Sequence, residues 1–246
     1  MPIYLERLTW KDFQRLVPRT HRVAIIPIGT IEAHGVCAIG TDNLIPADLA
    51  AQIADDLKAI VCPPISYGLV RGLAGYPGSV PVSDDAFTAY VTEVLAELGR
   101  RGFERIIVLN GHGGNTAALK NAAYAAHDKT RKKIVVIDWW FLADDVCREV
   151  YAQEGAHAGC DENGYILALD PELVKARDFS DDLLFLTSPA VAAFPYPGPV
   201  VMYKAGEGAP DFDRDKAVRY RRGAIEKVRE YLLMVMDRWD KIDAPV

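Results

Sequence analysis

The run RIIVLNGHGGN, from Arg105 to Asn115, decides how this chain is to be read. Five residues that favour extended backbone (Arg105 to Leu109) pass directly into a glycine-rich turn, and an alanine-rich stretch from Asn115 to about Lys129 follows as a helix. A short apolar run ending in a polar turn and then a helix is the repeating unit of a parallel sheet. Similar runs lie at Arg22 to Ile28, Ala59 to Ile65 and Lys133 to Asp138, with a weaker one at Ala190 to Phe194. Helical spacing appears at Pro46 to Leu57, from Ser83 as N-cap to about Arg100, and at Leu142 to Gln153, Gly159 to Leu169 and Asp213 to Asp240. The alternation predicts an α/β fold with helices on both faces of a mostly parallel sheet. With no repeat and no break in composition, it predicts one domain over residues 1–246.

In such sheets ligands bind beyond the carboxyl ends of the strands, and two strands here feed polar clusters at that end. The first leads into GTIEAHG and then GTDN, which carry Glu32, His34 and Asp42; the third leads into His112. If these strands are neighbours, the four side chains meet on one rim. Imidazoles and carboxylates together suit zinc, manganese or iron, and Asp42 has two oxygens with which to bridge two ions. A further cluster, EGAHAGCDE from Glu154 to Glu162, places His157 before a helix and Glu162 in its first turn. Glu162 is there either a metal ligand or a carboxylate that favours the helix N-terminus. The GHGGN turn has two readings as well, a phosphate cradle or a metal-site loop, although it matches no nucleotide motif.

Bulk properties exclude several classes. The formal net charge is −6 and the basic residues are spread along the chain, which argues against a nucleic-acid surface. The four cysteines show no CxxC pair, the N-terminus lacks a signal design, and no apolar run is long enough for a membrane span. A cytoplasmic location is the expectation. The proline- and glycine-rich stretch from Thr187 to Pro210 reads either as a functional cover or as a surface excursion.

The motifs LERLTW (from Leu5), PIGTIEAHG, GTDNLIP, the Tyr76–Ser79 turn, LNGHGGN and HAGCDE, in this order, resemble the creatininase family. The resemblance implies a three-layer α/β/α domain, often assembled as a homo-oligomer such as a hexamer, with two divalent metal ions (zinc, manganese or iron). It implies that Glu32, Asp42 and His112 hold one ion, that His34, Asp42 and Glu162 hold the other, and that His157 acts on the leaving group. The expected reaction is attack of a metal-bridging hydroxide on the carbonyl of a small cyclic amide or formamide, with backbone N–H groups near Gly113 steadying the oxyanion. Ring-opening C–C hydrolysis of a cyclic sugar-like ketone is the alternative, and a non-catalytic phosphate- or metal-binding protein the third. Gly114 stands where creatininase has a glutamate, and the segment Leu69 to Gly75 lacks that family's Glu-His pair. These departures point away from creatinine and toward a substrate contacting Arg71 and Trp140.

Overall fold

The structure, a computed structural model, describes residues 1–242; the last four positions of the domain read over 1–246 lie outside the described residues. Its elements are β1 (Ile3–Tyr4), α1 (Trp10–Leu16), β2 (Val23–Ile28), α2 (Thr41–Ile53), β3 (Ala59–Val61), α3 (Asp84–Arg100), β4 (Arg105–Asn110), α4 (Thr116–Thr130), β5 (Lys133–Asp138), α5 (Trp139–Leu142), α6 (Asp144–Tyr151), α7 (Cys160–Leu169), β6 (Leu184–Leu186), β7 (Val200–Met202) and α8 (Arg214–Lys241). The central sheet has the order β1-β3-β2-β4-β5, and every pairing in it is parallel.

The strands are continuous apolar runs because both faces are covered. Alternation still sorts them. Ile25, Ile107 and Leu109 face a core shared with α2, α6, α7 and α8. Ala24, Ile26, Ile28, Ile106 and Val108 face the opposite core with α3 and α4. Helix starts reflect local chemistry: Ser83 accepts from the Ala86 N–H, and Asp213 from the N–H groups of Asp215 and Lys216.

Several expectations need correction. The run at Ala190 to Phe194 is not a strand; Val191 and Phe194 are exposed, so no apolar face is buried there. The pairing in this region is β7 with β6, in parallel. The strand at Ala59 ends at Val61, with only an isolated bridge between Ile28 and Ile65 beyond it, since Pro63 and Pro64 have no N–H to give a ladder. The helix expected from Leu142 to Gln153 is α6, shorter at both ends, and the short α5 precedes it. Finally, α2 begins at Thr41 rather than Pro46, so the proline lies inside the helix and Asp42 in its first turn.

A proline inside α2 leaves one backbone acceptor free. Pro46 has no N–H to offer the Asp42 carbonyl four residues earlier. This carbonyl instead presses on the ends of β2 and β4: a Cβ at Gly29 would lie 2.1 Å from it, and one at Gly111 1.9 Å. Two residues without side chains therefore let the first turn of α2 wedge between the two central strands.

Candidate metal centre and adjoining cavity

The wedge brings the three sequence clusters together. Glu32 and His34 follow β2, Asp42 opens α2, His112 follows β4, and Glu162 lies in the first turn of α7. Glu32, His34, Asp42 and Glu162 are all buried. His112 Nδ1 is 3.1 Å from Glu32 Oε1 and 2.9 Å from Asp42 Oδ2. His34 Nε2 is 3.1 Å from Asp42 Oδ1 and 3.5 Å from Glu162 Oε2. The side chains thus fall into two groups, Glu32–Asp42–His112 and His34–Asp42–Glu162, with Asp42 in both and one oxygen toward each. A third group joins Glu32, His34 and His157.

Whether these residues suit metal ions can be judged from their hydrogen bonding. Glu32 Oε1, His34 Nε2 and Asp42 Oδ2 are buried and make no well-aligned hydrogen bond; the short N···O approaches given above are ion-pair contacts. Buried polar atoms ordinarily pair, because leaving one unpaired costs about 1–3 kcal/mol. Ligands about 2.0–2.1 Å from a tetrahedrally bound ion sit about 3.4 Å apart, close to the spacings above. The donor set of two imidazoles and three carboxylates fits the group.

The outward nitrogen of each imidazole is held by a backbone carbonyl, the usual way a ligand histidine is oriented. His112 Nε2 lies 2.6 Å from the Leu69 carbonyl, so its N–H donates there and Nδ1 faces Glu32 and Asp42. His34 Nδ1 lies 3.3 Å from the Glu32 carbonyl, leaving Nε2 inward. A Cβ at Gly114 would lie 2.4 Å from His112 Nε2 and 2.7 Å from the Leu69 oxygen, so a side chain there would crowd this bond.

Burial and charge together set the electrostatics. Burial opposes charge on His112, but Glu32 and Asp42 outweigh it and push the imidazolium up to about 10. His34 is likewise raised, against burial, by Asp42 and Glu162. For Asp42 burial works against ionisation, and His34 with His112 overcomes it to hold the carboxyl far below its usual range.

His157 lies beside this cluster, its ring 4.3 Å from that of His34. Its Nε2 is 3.0 Å from the Ala33 carbonyl and its Nδ1 3.5 Å from Glu32 Oε1. The loop that carries it is fixed by the next helix: Asp161 Oδ1 accepts from the Ala156 N–H and Glu162 Oε2 from the Ala158 N–H. It is fixed on the other side by β7, since His157 and Val201 exchange both backbone hydrogen bonds.

A cavity of about 830 Å3 opens beside these groups, within the range for small-molecule sites. Glu32, His112, His157 and Glu162 line it, as do Arg71, Gly113 and Trp140, all three expected from the sequence. Arg71 is not free, because it is ion-paired with Asp84. Sequence reasoning missed Tyr196 and Tyr203, which also line the cavity. They come from the Thr187 to Pro210 stretch, which covers this site: the Tyr196 N–H donates to the Gly72 carbonyl and the Tyr76 hydroxyl to the Tyr196 carbonyl. The alternation Val201, Met202, Tyr203 along and just past β7 was the available signal. Among the described residues no helix is long and apolar enough to cross a membrane.

Comparison with known proteins agrees with this geometry. The family model described as creatinine amidohydrolase (creatininase) matches residues 6–203. The chain is 28% identical over 194 residues to a creatinine amidohydrolase of Pseudomonas putida, covering 70% of this chain and 74% of that one. It is 30% identical over 180 residues to a 3-dehydro-scyllo-inosose hydrolase of Thermotoga maritima, covering 70% of this chain and 58% of the relative. A mycofactocin precursor peptide peptidase of Mycolicibacterium smegmatis is 30% identical over 185 residues, covering 70% and 66%. The chain thus spans less than two thirds of the last two. A solved creatininase structure superposes with a TM-score of 0.81 at 24% identity, over 94% of this chain and 96% of that one. It bears out the three-layer α/β/α architecture. Solved creatininase structures include a Zn-Zn type and an Mn form.

Proposed function

This chain belongs to the creatininase family, and from that premise we propose that it is a divalent-metal-dependent hydrolase acting on the carbonyl of an amide. The observation that carries the reading is the convergence of Glu32 Oε1, His34 Nε2 and Asp42 Oδ2, buried and without a well-aligned hydrogen bond, at the meeting point of the two ligand groups. Glu32, Asp42 and His112 would hold one ion, and His34, Asp42 and Glu162 the other. Bound there, a pair of zinc or manganese ions supplies Lewis acidity and a water acidified enough to attack a carbonyl near neutral pH.

The protein's own residues have separate tasks. The Leu69 and Glu32 carbonyls hold the two ligand imidazoles in one tautomer each. Backbone N–H groups at Gly113 and Gly114 donate to the carbonyl oxygen as it gains charge. With its Nε2–H on the Ala33 carbonyl, His157 has Nδ1 available toward Glu32 and the cavity. It takes the proton released as water adds to the carbonyl carbon and returns it to the leaving nitrogen as the C–N bond breaks. Arg71 and Trp140 bound the space for the substrate. The same proposal takes the chain as one domain working in the cytosol as a homo-oligomer up to a hexamer, a size that light scattering measures.

The test is elemental analysis of protein purified without chelators. About two ions per wild-type chain are expected, with fewer in Asp42→Ala and Glu162→Ala. No metal in the wild type, even after reloading with zinc or manganese, overturns the reading. The His157→Ala variant should keep its metal and lose roughly a hundredfold or more in turnover; undiminished turnover removes His157 from the mechanism. Hydrolysis of a cyclic ketone with no amide cleaved would favour the ring-opening alternative, for which the inosose hydrolase relative speaks.

A further inference from the structure

The metal-ligand cavity does not end at the glycine loop. A second cavity, about 780 Å3, lies between the N-terminal ends of α3 and α4. The two share Leu69, Arg71, Gly113, Gly114 and Thr116. Gly113 and Gly114 are exposed, and a Cβ built on Gly113 would meet nothing nearer than Trp140 Cζ2 at 3.9 Å. The loop is therefore a low sill between two open spaces, each alone large enough for a small molecule. A small cyclic amide would leave the second space unused.

We infer that the substrate is a linear, peptide-like amide whose acyl side runs from the metal-ligand cavity across Gly113–Gly114 into the groove between α3 and α4. The inference rests on the hydrolase reading above. The position of the proton donor gives the direction. His157, Tyr196 and Tyr203 line the first cavity only, so the leaving nitrogen belongs on that side and the acyl chain on the other. The groove's lining gives the chemistry of the acyl chain. Asp85, Thr88 and Asn121 offer carboxylate, hydroxyl and amide groups along it, set among the apolar Leu69, Ala89, Ala117 and Ala118. A peptide backbone can pair with such groups, whereas an alkyl chain would desolvate them without replacing their hydrogen bonds. Arg71, ion-paired with Asp84, stands at the junction and bounds both spaces.

The experiment is a binding ladder, which needs no turnover. Acetyl-alanyl hydroxamates of one to four alanyl residues anchor at the metal end and lengthen only on the acyl side. Their affinity for the full chain, with and without added zinc, is read by tryptophan fluorescence and calorimetry, alongside metal content. The inference expects affinity to tighten by about tenfold or more from the shortest to the longest, with or without metal. In Asn121→Trp and Thr88→Trp, which obstruct the groove from opposite walls, the longest ligand should bind no better than the shortest does. Circular dichroism checks that each variant is folded. Affinity independent of length overturns the inference, as does equal tightening in both folded tryptophan variants. A matched ladder of alkyl hydroxamates that tightens more than the peptides also overturns it. Loss of metal binding with the length dependence intact would instead count against the hydrolase reading alone.

Discussion

At the scale of single residues, the site sets a competition between a proton and a metal ion. Without metal, Glu32 and Asp42 keep the buried His112 imidazolium charged up to about 10, whereas an unfolded chain releases that proton near 6.5. The charged histidine therefore contributes its full share of metal-free stability below about pH 6.5, and that share is lost as pH rises through about 10. A metal ion must displace the proton, so uptake at pH 7 should release protons. Apparent affinity should rise with pH, about tenfold per unit for each proton displaced. Calorimetry in buffers of different ionisation enthalpy measures the proton count, and a pH-independent affinity with no release would contradict it. The residue types were legible in the sequence: Glu32, His34, Asp42 and His112 each follow or open an element at the strand ends. What was not legible was the tethering of His112 to the Leu69 carbonyl, because a backbone oxygen 43 residues away leaves no mark on composition or spacing.

Among the elements, α2 has the most constrained position. Adding a methyl group at Gly111 would bring carbon within 1.9 Å of the Asp42 oxygen. Gly111→Ala should therefore displace the first turn of α2, costing about 1–3 kcal/mol and weakening metal retention together with stability. Thermal melts and metal analysis on one sample check this, and a stable variant that retains its metal would show that the wedge is unnecessary. The middle of α2 is tied down by Asp48, which receives two hydrogen bonds from Arg221 of α8 and one from the Tyr165 hydroxyl of α7. Tyr165→Phe should cost about 1 kcal/mol, which for a chain of this size is roughly 2–4 °C in melting temperature; no change would mean water replaces the phenol. The continuous apolar runs of β2 and β4 and the helical periodicity of α3 and α8 were readable because the two cores demand their apolar residues. The start of α2 was not, since Pro46 signals a helix beginning when read locally and only the contact with Gly29 and Gly111 explains why the helix starts a turn earlier.

For the molecule as a whole, the five proposed ligand side chains come from the loop after β2, α2, the β4 turn and α7, so metal binding should stabilise the whole fold. A ligand that binds only the native chain at a thousand times its dissociation constant adds about 4 kcal/mol. Chelation should then lower the melting temperature by several degrees, and zinc or manganese should restore it; an unchanged melt would mean that the ligands are held together without the ions. The parallel sheet and its two covered faces were foreseeable from alternation in the sequence. The stretch from Thr187 to Pro210 was legible only as either a cover or a surface excursion, because its proline-rich chain has no period and its place is set by a few hydrogen bonds, one each with Gly72 and Tyr76 and two with His157. Those bonds give the cover a second consequence. Val201 holds the backbone of His157 through both of its own hydrogen bonds, so the segment that roofs the cavity is also a bracket for the histidine proposed to carry the proton. Were that roof to lift at Val201, the histidine would lose one of its supports and keep the others, the α7 carboxylates and the Ala33 carbonyl. Cover and histidine thus share a support, so a substitution that distorts the cover at Val201 is expected to disturb the position of His157 as well.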